Sequence, residues 1–295
     1  MLSGVGMSLY ALLRSSQIDV NDGLYSFWAG WAITITGLQI IHLFTPITAL
    51  IATAICILSL WGWWTARSFV VQILSEVRHH KVLLGLFLLL TIWLTPTAIV
   101  GYYQYDDGLY HLQDVQWMRD YALVTGLGNL HGRFAFNTSH TLLTAFLDAL
   151  PTIPPARHIL HGTLLTGFIV QALVSLNRLC RTAHPRAHDA FYVMALPVTI
   201  FVSPAFLAAI KNDYAVLIVG LFIAGQILRI ALERDPPALK TLIVLLWVVC
   251  MSVTIKLSMA IFAGALMLVL AWRNLRWTVI ISFILVPLVV GVWML

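Results

Sequence analysis

Residues 23–66, GLYSFWAGWAITITGLQIIHLFTPITALIATAICILSLWGWWTA, decide the fold class. A helix needs about 20 mostly apolar residues to cross the hydrocarbon of a bilayer. This block is too long for one crossing, and Pro46 is the natural place to break it into a helical hairpin. Working outward, runs of the same kind predict spans at 24–42, 46–64, 82–101, 158–179, 190–208, 214–232, 240–255, 257–272 and 277–295. Lys256 divides the long block from Leu239 to Trp272, and residues 1–13 read as the stub of a further helix. The expected fold is an all-α, polytopic transmembrane bundle of about 9–10 spans.

Composition agrees. With 60% hydrophobic and 10% charged residues among 295, and a mean hydropathy of +0.91, the chain is far from a soluble domain, where about a quarter of residues are charged. Soluble enzyme folds, disordered chains, collagen-like repeats and disulfide scaffolds are excluded. So are nucleic-acid binders, despite the net charge of +5. Cys56, Cys180 and Cys250 lie in or beside apolar runs, which suits small buried or lipid-facing residues. The first residues lack a basic segment and cleavage site, so no removable signal peptide is expected. The chain stops inside an apolar run at Val292-Trp293-Met294-Leu295, so a fragment of a longer protein is expected.

The basic residues give an orientation. Strict alternation with loop 65–81 in the cytoplasm puts twelve of the seventeen inside: Arg14, Arg67, Arg78, Lys81, Arg178, Arg181, Arg186, Arg229, Arg234, Lys240, Arg273 and Arg276. Arg119, Arg133, Arg157, Lys211 and Lys256 fall outside. This is the asymmetry of the positive-inside rule. The chain then divides into N-terminal membrane helices (1–101), a large extracytoplasmic loop with interfacial helices and the candidate site (102–157), and C-terminal membrane helices (158–295).

That loop is too rich in Tyr, Trp, Phe, His and Leu to be disordered, and long loops in compact proteins are usually functional. It opens with Asp106 and Asp107 at the membrane boundary. The pair reads either as a general base with a helper or as solvated carboxylates capping the next helix. Leu109 to Tyr121 reads as a short amphipathic helix, with Asp107, His111, Asp114 and Met118 on one stripe and Tyr110, Trp117 and Tyr121 on another. Asp107, His111 and Asp114 could hold a divalent cation or form a surface hydrogen-bond network. No other cofactor is indicated.

Farther along, Asn129, His131, Arg133 and Asn137 supply hydrogen-bonding groups among glycines and aromatics. A guanidinium suits phosphate because its planar fork makes paired hydrogen bonds; an ion pair with an aspartate of the same loop is the alternative for Arg133. Lys211, Asn212 and Asp213 form a short outer turn, and Lys256 sits at another outer apex. A lysine in such apolar surroundings either snorkels or meets an anion. The clusters at 106–107, 133, 211–213 and 256 therefore share one membrane face.

The stretch Asp106-Asp107-Gly108-Leu109-Tyr110-His111, with Gly128-Asn129-Leu130-His131-Gly132-Arg133 and Phe136-Asn137, resembles the signature of uncharacterised bacterial polytopic proteins related to GT-C glycosyltransferases. The likeness covers the outer loop, the Asp213 turn and the Lys256-Leu257-Ser258 apex. Relatives more often carry Asp-Thr-Gly where this chain has Asp106-Asp107-Gly108, which makes Asp106 the better match to their carboxylate. The resemblance implies an inner-membrane enzyme that takes sugar from a polyprenyl-phosphate-linked donor. Asp106 would be the general base toward the hydroxyl of a glycan, lipid or protein acceptor. Asp213 would orient acceptor or metal, while Arg133, Lys211 and Lys256 would stabilise phosphate charge, with membrane lipid around the donor's tail. A lipid-linked sugar transporter or flippase, a polysaccharide polymerase or ligase, and a non-enzymatic membrane scaffold are the competing readings.

Overall fold

The computed structural model describes residues 1–12, 20–78, 80–100, 104–135, 138–151, 156–182, 185–233 and 237–273. These form twelve α-helices and, among the described residues, no strand. They are α1 (Leu2–Leu12), α2 (Val20–His42), α3 (Ala49–Thr65), α4 (Arg67–Arg78), α5 (Lys81–Val100), α6 (Leu112–Asp120), α7 (His140–Asp148), α8 (Leu160–Arg181), α9 (Ala187–Val202), α10 (Asp213–Leu232), α11 (Leu239–Ile255) and α12 (Ala260–Trp272).

The predicted spans fall on these helices, apart from 277–295, which lies outside the described residues. Among the described residues, four helical stretches are long and apolar enough to cross a membrane by length and composition: Gly23–His42, Lys81–Ile99, Ala156–Arg181 and Asp213–Leu232. The apolar segments Ala49–Thr65, Leu239–Ile255 and Leu257–Trp272 are shorter. Lys81–Ile99 is only 11% buried, and Val82, Leu89, Ile92 and Trp93 on its surface are all more than half exposed. Such a continuous apolar surface requires a nonaqueous neighbour.

Aromatic side chains fill the interior between α2, α8, α9 and α10. Trp28 stacks on Phe222 with ring centroids 4.2 Å apart, and Phe168 meets the edge of Tyr192 at 5.9 Å. On the other side of α2 the packing depends on small residues instead. A Cβ at Gly30 would run into the carbonyl of Leu2, and one at Gly62 into the carbonyl of Gly4. Without side chains there, α1 lies backbone to backbone against α2 and α3, the close approach that holds membrane helices together by dispersion.

Residues 67–78, inside the loop predicted at 65–81, form helix α4. The span expected at 190–208 ends at Val202. Pro204 lacks an N–H to continue the ladder, and Ser203–Ala205 is a short 3-10 turn. This frees the backbone of 206–212 to meet the long loop. Within the long segment, α7 is enclosed by protein: His140 through Leu147 are all buried. The long segment and the apolar helices share one core, which includes Val115, Leu142 and Phe146 with Trp28 and Leu164. Backbone bonds join them, from Ile47 N–H to Met118 O at 2.8 Å, Leu123 N–H to His42 O at 2.8 Å and Ser139 N–H to Thr254 O at 3.0 Å.

Candidate functional site

The helix that carries the paired aspartates starts after Gln104 and widens at once into a π turn over Asp107–His111. Single π turns inside α-helices are frequent at functional sites. The two aspartates have different fates. Asp107 is fully buried. Its Oδ2 accepts the Gln104 N–H at 3.1 Å, as a capping residue does when it reaches back to the helix start. Its Oδ1 accepts the Ile210 N–H at 3.2 Å and so fastens the helix to the 206–212 segment. Gln104 adds a second tie, donating from Nε2 to Ala205 O at 2.6 Å.

Asp106, one residue earlier, points to the open side. Its carboxylate accepts from Arg133 Nη1 at 2.6 Å, with side chains 40% and 42% exposed respectively. The guanidinium also lies over the Tyr110 ring, 5.0 Å from its centroid. Of the two readings of Arg133, the ion pair with a loop aspartate is therefore the one found. Lys256 likewise meets an anion: its Nζ donates to Asp213 Oδ1 at 2.7 Å, while Lys211 Nζ is 3.7 Å from Oδ2 and 4.8 Å from the centre of the Phe206 ring. The two groups of charges are neighbours. Burial chiefly pushes the Tyr110 phenol up, with further contributions from Asp106 and Asp213. Burial pushes the His111 imidazole down against the pull of Asp107, Asp106 and Asp213.

The proposed metal set does not assemble. Among the described residues no group of three His, Cys, Asp or Glu side chains is placed to hold a metal ion. Asp107 spends both oxygens on backbone amides. Asp114 takes a hydrogen bond from Thr141 instead, and burial pushes its carboxyl up to about 6. His131 and Asn129 are exposed on the short turns beyond Gly126, whose φ of 84° permits the sharp entry. His131 Nδ1 accepts the Arg133 N–H at 3.3 Å. It shapes the Arg133 turn. Asn137 lies outside the described residues.

Several supporting residues gave no sequence signal. Asn212 donates to Thr138 Oγ1 at 3.2 Å and to Ile255 O at 3.0 Å, which joins the long loop, α10 and the Lys256 apex. Asp148 binds Arg119 at 2.7 Å and Arg157 at 2.6 Å and closes the base of the segment. Beneath the surface, His140 and His161 stack with their Nε2 atoms 3.1 Å apart. His161 Nδ1 must donate to the Phe206 carbonyl, 2.8 Å away, so its Nε2 accepts from His140. This leaves His140 Nδ1 as a buried acceptor without a partner among the described residues. Burial and the neighbouring His161 hold His140 well below the usual imidazole range, so it is neutral at pH 7. None of these pairings could be read from spacing, because each joins residues of different elements.

Fold and site together define, among the described residues, an all-helical protein with four helices long and apolar enough to cross a membrane and a platform of paired charges. The chain belongs to the family described as a domain of unknown function (DUF8201), which matches residues 1–295. No curated protein and no solved structure matches it.

Proposed function

We propose that the chain is a glycosyltransferase-like protein of a bacterial inner membrane, with about 9–10 spans and residues 102–157 on the outer side. It transfers a sugar from a polyprenyl-phosphate-linked donor to an acceptor hydroxyl. The observation that carries this reading is the Asp106–Arg133 pair at 2.6 Å, partly open to solvent, beside the Lys211–Asp213–Lys256 group. The likeness of the loop to GT-C-related proteins supports it too.

The pair supplies a means of coupling donor binding to base activation. A donor phosphate competes with Asp106 for the Arg133 fork, and the capture of Arg133 leaves the Asp106 carboxylate free to take the acceptor proton. The hydroxyl oxygen attacks the anomeric carbon in line as the bond to the lipid phosphate breaks. Lys211 and Lys256 stabilise the charge that develops on that phosphate. Asp213 holds both lysines and orients the acceptor, while Asp107 fixes the turn that aims Asp106.

A lipid-linked sugar transporter is the second reading, favoured by the buried, neutral His140–His161 hydrogen-bonded pair, polar chemistry in the core that the transfer reaction does not use. Membranes loaded with polyprenyl-phosphate sugars separate the two. Asp106→Asn and Arg133→Ala are expected to lower sugar transfer by about 10²-fold or more. Equal transfer by both variants and the native chain refutes the site, and translocation without transfer selects the transporter. Sidedness is tested on a Cys180→Ser background, because Cys180 is exposed. A cysteine at Leu130, which is 71% exposed, should label from outside and one at Thr182 should not; the reverse inverts the topology.

A further inference from the structure

At the other end of the bundle, α8 and α9 enclose a cavity of about 240 Å³ lined by Arg178, Leu179, Thr182, Pro185, Arg186 and Asp189. It is separated from the candidate site by the length of α9, whose 16 residues rise about 24 Å at 1.5 Å each. We propose that this cavity binds the phosphate of an anionic phospholipid headgroup, with Arg178 and Arg186 as the recognising side chains.

Charge is the first argument. Three guanidiniums, Arg178, Arg186 and Arg229, gather here with two carboxylates, Asp189 and Glu233. Asp189 is nearly fully buried against Arg178 at 3.2 Å. Glu233 is shared between Arg229 at 3.2 Å and His188 at 3.2 Å. Arg186 reaches Glu233 only at 3.8 Å, too far for a hydrogen bond, and its side chain is 56% exposed. The group is left with a positive surplus, and its most exposed cation, Arg186, lines the cavity together with a second guanidinium, Arg178. Paired guanidiniums are the side chains best matched to phosphate oxygens, and the Thr182 hydroxyl can add a further donor.

Shape and surroundings select a lipid over a larger soluble ligand. The cavity is below the roughly 300–1,000 Å³ of pockets that hold whole drug-sized molecules, and fits a phosphate and its ester arm. Leu179 and Pro185 form its apolar wall. Farther along, α9 presents an outward apolar stripe, Met194, Val198 and Phe201, which are 76%, 55% and 85% exposed. Their i, i+4, i+7 spacing keeps them on one helix face. Acyl chains can lie along that stripe while the headgroup occupies the cavity. This is also the end that gathers the basic residues expected to face the anionic cytoplasmic leaflet.

The test titrates the purified full chain in neutral detergent with phosphatidylglycerol, phosphatidylcholine and inorganic phosphate, read by thermal unfolding and native mass spectrometry. Phosphatidylglycerol is expected to raise the unfolding midpoint and remain as a one-to-one adduct, and phosphatidylcholine to do neither. Arg186→Gln should weaken the apparent affinity for phosphatidylglycerol about tenfold, equivalent to about 1.4 kcal/mol. Arg178→Lys, which keeps a cation beside Asp189 but removes the fork, should weaken it similarly. Unchanged affinity in Arg186→Gln, a surface change that leaves the fold intact, overturns the proposal, as does equal stabilisation by phosphatidylcholine. Binding of inorganic phosphate as tight as that of phosphatidylglycerol overturns the lipid assignment.

Discussion

Replacing Asp107 distinguishes a structural carboxylate from a catalytic one. Both of its oxygens accept backbone amides, from Gln104 at 3.1 Å and Ile210 at 3.2 Å, in a fully buried setting. In Asp107→Ala both amides lose their acceptor inside the protein. A buried donor left unpaired costs about 1–3 kcal/mol, so the loss should total about 2–6 kcal/mol. Asp107→Asn keeps one acceptor oxygen but turns an NH₂ toward the other amide, so roughly half that loss is expected. For a chain of this size 1 kcal/mol moves the unfolding midpoint by about 2–4 °C. Asp107→Ala should therefore unfold on the order of 10 °C below the native chain in detergent, and Asp107→Asn about 5 °C below. Asp106→Asn should stay within about 2 °C, because its ion pair is half exposed and such pairs contribute about 0–1 kcal/mol. Equal midpoints for Asp107→Ala and the native chain would refute the clamp.

Further outcomes follow from other parts of the molecule. The Asp114 carboxyl has its folded value raised to about 6 by burial, above an unfolded value of about 3.9. The folded state therefore holds the extra proton between about pH 4 and 6, and stability should fall as pH rises through that window, by about 3 kcal/mol. Asp114→Asn should flatten this slope in denaturation series taken across it, and an unchanged slope would contradict the burial. Gly30→Val drives a side chain into the Leu2 carbonyl; a loss of about 3 kcal/mol or more is expected, with faster proteolysis of α1. Lys256→Met should change stability by less than about 1 kcal/mol, since the Lys256–Asp213 pair is 45% exposed on both sides. In the transfer assay the same variant should lower the rate, and unchanged transfer would remove Lys256 from the phosphate site.

The sequence by itself determined the class of fold and the position of nearly every long helix. Twenty-residue apolar runs broken by Pro46 and Lys256 have few other solutions when about 20 residues cross a bilayer. It also identified which charges would come together, because alternation of spans sorts loops by side without knowledge of contacts. The partners of those charges were decided only by tertiary structure. Asp106 and Asp107 are adjacent, and their spacing left capping and catalysis open. The π turn and the early end of α9 bury one against Ile210 and leave the other with Arg133. The expected metal set does not assemble among the described residues, because Asp107 gives both oxygens to backbone amides and Asp114 bonds Thr141. The His140–His161 pair, the Asn212 junction and the Arg178–Arg186 cavity were invisible in the sequence. Each depends on helices meeting at distances and angles that side-chain packing sets, and hydropathy carries no record of them.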